Sequence, residues 1–296
     1  CYKIGMLKIQ ELRALTRTRK QLVQEKARHV QRIQKTLEDA NVKLDGVLSN
    51  VMGVSGRAIL RAMIAGETDP HKLVALAHPN LRANRDALAE AIQGSVSKNH
   101  RFLLKAYLDL VETIEATIDT IDEEIGVALE PFRADIKQLK TIPGVSSVTA
   151  AIILSEIGTD MARFPTAQHL VSWARLCPRN DESAGKRQST AIRKGSNWLK
   201  PALVQCVLAA ISKKPHNYLR AQYYRIKAHR GSNRARIAVA ASLLTAVYFV
   251  LRDKVPYHDL GSDYLDKIAP ARTIERLVRR LNNLGCDVEL KERKAA

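Results

Sequence analysis

The sequence predicts an all-α protein: a long two-helix coiled-coil arm carrying a helical insert, followed by a compact helical domain. Three observations lead there. Two long stretches repeat apolar residues at helical spacing, the segment between them is broken by glycine and proline at short intervals, and the second half holds further apolar helical runs.

The first long helix, from about Lys8 to Leu37, has no Gly or Pro and places Leu15, Leu22, Val23, Val30, Ile33 and Leu37 along its apolar side. The second begins near His100. Its apolar positions Leu104, Tyr107, Val111, Ile114, Ile118, Ile121 and Ile125 alternate steps of three and four, the spacing of a coiled-coil seam. Between Asp109 and Glu130 it carries eight carboxylates and no basic residue, whereas the first helix carries Arg13, Arg17, Arg19, Lys20, Lys26, Arg28, Arg32 and Lys35. Opposite charge favours pairing the two, within one chain or between protomers, and the protomer case predicts a dimer or higher oligomer. The insert, 41–93, reads as several short helices, with Ser55 and Asp69 as caps and Pro70 in a first turn. Residues 10–140 therefore form the arm, 141–285 the helical domain and 286–296 a polar tail.

Within the second region, TIPGVSSVTAAIILSEIG (141–158) has a turn at Pro143-Gly144-Val145-Ser146 and then an apolar helix. This is similar to a helix-hairpin-helix, whose turn amides and following helix N-terminus face a DNA phosphate, and it makes Gly144 a candidate contact. The usual pattern has a second glycine where this chain has Ser146. An ordinary core helix is the alternative. The apolar run Ile237 to Leu251 is shorter than the roughly 18–20 residues of a membrane span and reads as a buried core helix.

Charge points to the partner. The chain has 48 Lys+Arg against 30 Asp+Glu, a formal net charge of +18. From Arg163 to Arg252 the only acidic residues are Asp181 and Glu182, so the excess lies in the second region. A solvated face normally mixes signs, and a polyanion, nucleic acid, is the expected ligand. Arg175, Arg179, Lys186, Arg187, Arg193, Lys194, Lys200, Arg220, Arg225 and Arg230 are the candidate contacts. Tyr218, Tyr223 and Tyr224 interleave with the last three arginines, but at helical spacing they read as half-buried packing residues. Cys1, Cys177, Cys206 and Cys286 have no metal-binding spacing and read as reduced, mostly buried thiols. With no secretory signal, a cytoplasmic protein without a membrane partner is expected.

Phosphodiester chemistry could use paired metals or a side-chain nucleophile. Asp181 and Glu182, adjacent in sequence, cannot house a two-metal site alone. Ser183 could attack: Ala184 and Gly185 let a phosphate backbone approach, and Lys186 and Arg187 could stabilise charge on the phosphoryl oxygens. Glu182 is a weak candidate base. A serine in a polar turn is far more often a turn former or cap, and Ser189, Thr190 and Ser196 lie close by, so the residues alone leave the nucleophile open.

Three separate stretches, IPGVSSVTAAIILSEIG, FPTAQHLVSWARLCPRNDESAGKR and RKGSNWLKPALVQ, resemble the C-terminal transposase domain of the insertion-sequence 110 family, which includes the Piv-type DNA invertases. ELRALTRTRKQLVQE, MGVSGRAIL and PYHDLGSDYLD extend the resemblance over nearly the whole chain. It implies that Ser183 is the nucleophile of strand cleavage and exchange, forming a phosphoserine link to DNA. It also implies a RuvC-like nuclease domain whose carboxylates bind magnesium, and a structured guide RNA as partner. No acidic residue here matches those carboxylates. Residues 1–9 are accordingly expected to be the remnant of a link to such a domain, and no residue of this chain is expected to bind the metal. Ser196 stands where the family's RKGN motif has Asn; both residues cap helices. The alternative reading is an inactive truncated transposase that only binds nucleic acid, and a third is a helix-hairpin-helix DNA-repair protein.

Overall fold

The computed structural model describes residues 2–79, 81, 84–178, 181–183, 186–189, 195–212 and 216–291; side chains are described for these except 2–6, 181–183 and 186–189. The described residues are mostly helical, with one two-stranded hairpin among them. It forms two compact units, Ala14–Ala128 and Cys1–Arg13 with Leu129–Ala296.

In the first unit α1 (Tyr2–Asp39) contributes residues from Ala14 onward. The insert folds as α2 (Leu44–Val47), α3 (Val54–Ala65), α4 (Pro70–Ala75) and α5 (Arg85–Ile92), and α6 (Lys98–Leu129) closes the unit. Arg19 pairs with Asp122, its Nη2 donating to Oδ2 at 2.9 Å, and Lys26 meets Glu115 at 3.5 Å. Nearer the insert, Arg32 lies over the Tyr107 ring. Partners rise along α1 as they fall along α6, so the helices run antiparallel and their opposite charges meet within one chain. Leu104, Val111, Ile118 and Ile125 are buried, but Val23, expected on the apolar side of α1, is exposed.

The insert joins one apolar cluster with the end of α1 and the start of α6, centred on Ile33, Leu44, Ile59, Leu88 and Leu104. Two features of MGVSGRAIL explain its docking. A Cβ at Gly56 would lie 2.0 Å from the Val51 carbonyl oxygen, so only glycine lets the chain pass there. Arg57 donates from Nη2 to both Glu115 oxygens at 2.7 Å and from Nε to the Met52 carbonyl at 2.8 Å, tying the insert to α6. Asp69 caps α4 as expected, accepting from the His71 amide. Ser55 does not cap α3. Gly53 holds that position, and the Ser55 hydroxyl inside the helix accepts from the distant His78 amide at 3.0 Å.

The second unit holds α7 (Arg133–Leu139), α8 (Ser147–Ile157), α9 (Ala167–Trp173), the hairpin β1 (Asp181–Ser183) and β2 (Lys186–Ser189), and then α10 (Leu199–Ser212), α11 (Tyr218–Arg230) and α12 (Ser232–Asp253). α13 (Tyr264–Lys267) and α14 (Pro270–Asn282) follow. α7 packs on α8 and α12, which draws it into this unit although it precedes residue 141. α12 is the core: it packs against α7, α9, α10 and α11, and Val239, Leu243, Leu244 and Val247 are fully buried. Its 22 residues make it long and apolar enough to cross a membrane by composition, and half of its most apolar window is buried here. The described cysteines are less buried than their type predicts, and Cys1 lies outside the described residues. Cys206 is enclosed, and Cys177 and Cys286 are exposed.

The first turns of α1 belong to this second unit, with Leu12 fully buried. Arg13 donates from Nε to the Ser155 carbonyl at 2.8 Å and from Nη2 to the Glu156 carbonyl at 3.3 Å. Those are orphan carbonyls in the last turn of α8, where a cation also meets the negative end of the helix dipole. Arg13→Ala is therefore expected to cost about 2 kcal/mol, because charge-assisted bonds to partly buried carbonyls are lost. Chemical denaturation of the variant would measure it, and an unchanged midpoint would show that water replaces the guanidinium without loss.

Candidate active site and nucleic-acid interface

The serine segment leaves the core at the end of α9. Tyr248 of α12 donates to the Phe164 carbonyl at 3.1 Å, and the Phe164 and Trp173 rings meet at 5.7 Å, fixing both ends of the α9 region against the core. α9 stops where Arg175 adopts a left-handed conformation at φ 56. The Arg175 amide donates to the Ser172 carbonyl and the Leu176 amide to Val171, the bond pair of a Schellman stop. A non-glycine residue in that conformation costs on the order of 1–2 kcal/mol. Leu176, 3% exposed, anchors the turn next to it.

The segment returns beside its own start. A Cβ on Gly195 would lie 3.3 Å from the Ala174 carbonyl oxygen and 3.2 Å from Cδ of Lys200. Ser196 then caps α10, its hydroxyl accepting from the amides of Trp198 at 3.1 Å and Leu199 at 3.3 Å. Serine thus does at this position the capping that asparagine would do. The excursion between Arg175 and Gly195 thus starts and ends at one anchored base.

Within that excursion β1 and β2 pair antiparallel, with Ser183 opposite Lys186, Glu182 opposite Arg187, and Asp181 opposite Ser189 across an irregular step. Ser183 is the last paired residue before Ala184 and Gly185. Its partner across the ladder and the next pair contribute a lysine and an arginine, the residue types a phosphoryl group needs nearby. The side chains of Ser183, Lys186 and Arg187, and all of Arg179, Gly185, Arg193 and Lys194, lie outside the described residues.

The remaining candidates separate by what holds them. Arg175 is exposed and Lys200 half-buried, both at the base of the excursion. Arg220 is half-buried. It donates to the Ile211 carbonyl at the end of α10 and stacks on Tyr224, 5.3 Å from the ring centre, so its guanidinium is committed to the fold. Arg225 donates to the Leu265 carbonyl at 3.0 Å. Arg230 is exposed in the last turn of α11 beside Lys227 and His229. Exposed Arg234 follows in the first turn of α12, a cation that residue typing along α11 alone did not select.

Gly144 faces the protein. At φ 85 it lies so close to α10 that a Cβ would stand 2.0 Å from the Cys206 carbonyl oxygen and 2.7 Å from the Ala210 amide. The turn does join two helices, α7 and α8, and Ser146 with Thr149 forms a capping box over the first amides of α8. PYHDLGSDYLD also has a structural task. Asp259 accepts from the Tyr218 amide at the start of α11 and from Gly261, while the Tyr257 amide donates to Thr141 beyond α7. Burial, and then the nearby Asp259 carboxylate, push the Tyr257 phenol far above its ordinary range. The segment straps α11 to the α7–α8 turn.

Comparison with known proteins shows what this region is similar to. The model of the transposase IS116/IS110/IS902 family matches residues 136–224, from α7 through the excursion into α11. Over those residues the chain is similar to the transposase domain of that family. The uncharacterized 43.6 kDa protein of insertion element IS110 from Streptomyces coelicolor is 33% identical over 122 residues, 40% of this chain and 29% of that protein. The pilin gene-inverting protein of Moraxella lacunata is 30% identical over 131 residues, 43% of this chain and 39% of that protein. Its counterpart from Moraxella bovis is 31% identical over 124 residues, 40% of this chain and 37% of the relative. The chain thus spans well under half the length of these relatives. The matched region includes Ser183 and every predicted contact except Arg225 and Arg230. Among the described residues no group of three or more His, Cys, Asp or Glu converges as a metal site.

Proposed function

We propose that this chain is part of an insertion-sequence transposase that binds DNA and uses Ser183 as nucleophile in strand cleavage and exchange. The observation that carries the reading is the family match over 136–224, which encloses a serine at the last paired position of a hairpin anchored at one base. In the step proposed, the Ser183 hydroxyl releases its proton to water as its oxygen bonds to phosphorus, the bond from phosphorus to the leaving-strand oxygen breaks, and that oxygen takes up a proton, so no net proton is gained or lost. The phosphodiester energy is retained in the phosphoserine link, so a second strand's hydroxyl can reverse the step and complete exchange. Lys186 and Arg187 would offset charge building on the phosphoryl oxygens. Magnesium and its carboxylates are supplied from outside the described residues.

Positive charge supports a second element of the reading. The excess between Arg163 and Arg252 exceeds what a cleavage site needs and suits simultaneous hold on DNA and a structured guide RNA. A salt series tests the binding half. If about six phosphates are contacted, affinity for duplex DNA falls roughly a thousandfold between 50 and 200 mM salt. Gel shift or fluorescence anisotropy would show it, and a salt-independent affinity would remove nucleic acid as the ligand. The chemical half is tested by covalent capture on denaturing gels, with the modified peptide mapped by mass spectrometry to Ser183. Steep salt dependence without any adduct, in this chain and in a full-length relative alike, would instead establish the inactive nucleic-acid-binding reading.

A further inference from the structure

α14 is amphipathic and uncovered. Ile274, Leu277, Leu281 and Leu284 follow steps of three, four and three, and are 44%, 51%, 42% and 73% exposed. The turn holding Leu284 continues the helix through its amide bond to the Leu281 carbonyl. No residue of α14 is buried, and among the described residues of its own unit it packs chiefly on α13 and, along a groove, against Leu290. A 13-residue helix is marginal in water alone, so this face calls for a covering surface. The flanks of the stripe are basic. Arg272, Arg276, Arg279 and Arg280 face a single acid, Glu275, and only Arg276 reaches a carboxylate among the described residues, Asp266 at 3.3 Å.

The complementary surface is on α6. Its apolar seam is closed by α1, and Glu112, Glu115 and Asp122 are engaged by basic partners of the same unit. Asp119, Glu123 and Glu124 remain exposed, without a partner among the described residues, and Val127, 68% exposed, lies one turn beyond Glu123. Asp119 and Glu123 are one helical turn apart, as are Arg272, Arg276 and Arg280.

We propose that α14 docks on the acidic stripe of α6 in a second copy of this chain, and that the exchange is reciprocal about a two-fold axis. One short helix covers only several hundred Å², whereas two such contacts approach the roughly 1,200 Å² at which interfaces become stable. Charge pattern selects this occupant. A nucleic-acid backbone would satisfy the arginines but leave four large apolar side chains in water. An anionic bilayer would take both faces of α14 yet leave the bare acidic stripe of α6 without counter-charge. The interface is separate from the serine chemistry and from the α1–α6 seam, which is closed inside one chain.

Charge swapping tests it. Wild type is expected to sediment as a dimer at micromolar concentration. R276E/R279E/R280E and D119K/E123K/E124K are each expected to weaken the dimer at least tenfold, with helical circular dichroism unchanged. Mixing the two variants, or combining all six changes in one chain, restores the dimer; L277D/L281D weakens it without altering charge complementarity on α6. A monomeric wild type, or a dimer indifferent to both reversals, overturns the proposal. So does a six-fold variant that regains thermal stability while remaining monomeric, which would place the contact within one chain. Loss confined to DNA binding, or to binding of phosphatidylserine vesicles, would assign α14 to those partners instead.

Discussion

Ser183→Ala is expected to abolish the covalent DNA adduct while leaving DNA affinity within about threefold of wild type. Removing an enzyme's nucleophile costs on the order of 10⁶ in rate, which takes an adduct below detection. Affinity should hardly change, because it comes from phosphate contacts by cations, and one hydroxyl hydrogen bond contributes only about 1 kcal/mol. The hairpin register sharpens the comparison. Lys186 stands opposite Ser183 and Arg187 opposite Glu182, so Lys186→Ala and Arg187→Ala should each slow adduct formation by roughly a hundredfold or more if they face the phosphoryl oxygens. Ser189→Ala, on the other strand, should have a small effect. An adduct that survived in Ser183→Ala but vanished in Ser189→Ala would move the nucleophile across the hairpin.

The contrast between Arg220 and Arg230 shows what the sequence could and could not convey. Both are arginines on one basic helix. Charge and type are identical, but Arg220 is held by the Ile211 carbonyl and the Tyr224 ring, contacts set by how α10 meets α11, whereas Arg230 extends from the last turn. Composition reports charge and cannot report accessibility. The long helices were legible because burying α1 against α6 imposes a repeat on local sequence, and their opposite charges signalled the pairing realised by Arg19–Asp122 and Lys26–Glu115. Ser55 failed as a cap because its partner, His78, lies beyond any local window. The hairpin was invisible for a related reason. DES and KRQS carry no β-branched or aromatic residue, so no strand preference marks them. They lie between two points of the chain, Ala174 and Gly195, that meet in space, an approach no local window reports. What singled out Ser183 was the resemblance of its surroundings, since a hydroxyl in a polar segment has no chemical signature of its own.

Gly144→Ala is expected to destabilise the second unit by at least about 3 kcal/mol, enough to lower its thermal midpoint by several degrees. Two costs add. Alanine in the left-handed region at φ 85 is strained by about 1–2 kcal/mol, and the new Cβ would meet backbone atoms, 2.0 Å from the Cys206 carbonyl oxygen and 2.7 Å from the Ala210 amide. Neither neighbour can rotate away as a side chain could, so the α7–α8 turn must lift from α10. Gly126→Ala is the control. That glycine lies on the exposed side of α6 with nothing within 4 Å of a built Cβ, and alanine there should stabilise the helix by about 0.5–1 kcal/mol. The pair separates two explanations of Gly144. Close approach of a DNA phosphate to the turn would make the substitution costly for binding alone. Contact with α10 makes it costly with no DNA present, and the geometry requires the second. A Gly144→Ala protein that kept its midpoint and lost DNA affinity would reverse that assignment and return the glycine to the interface.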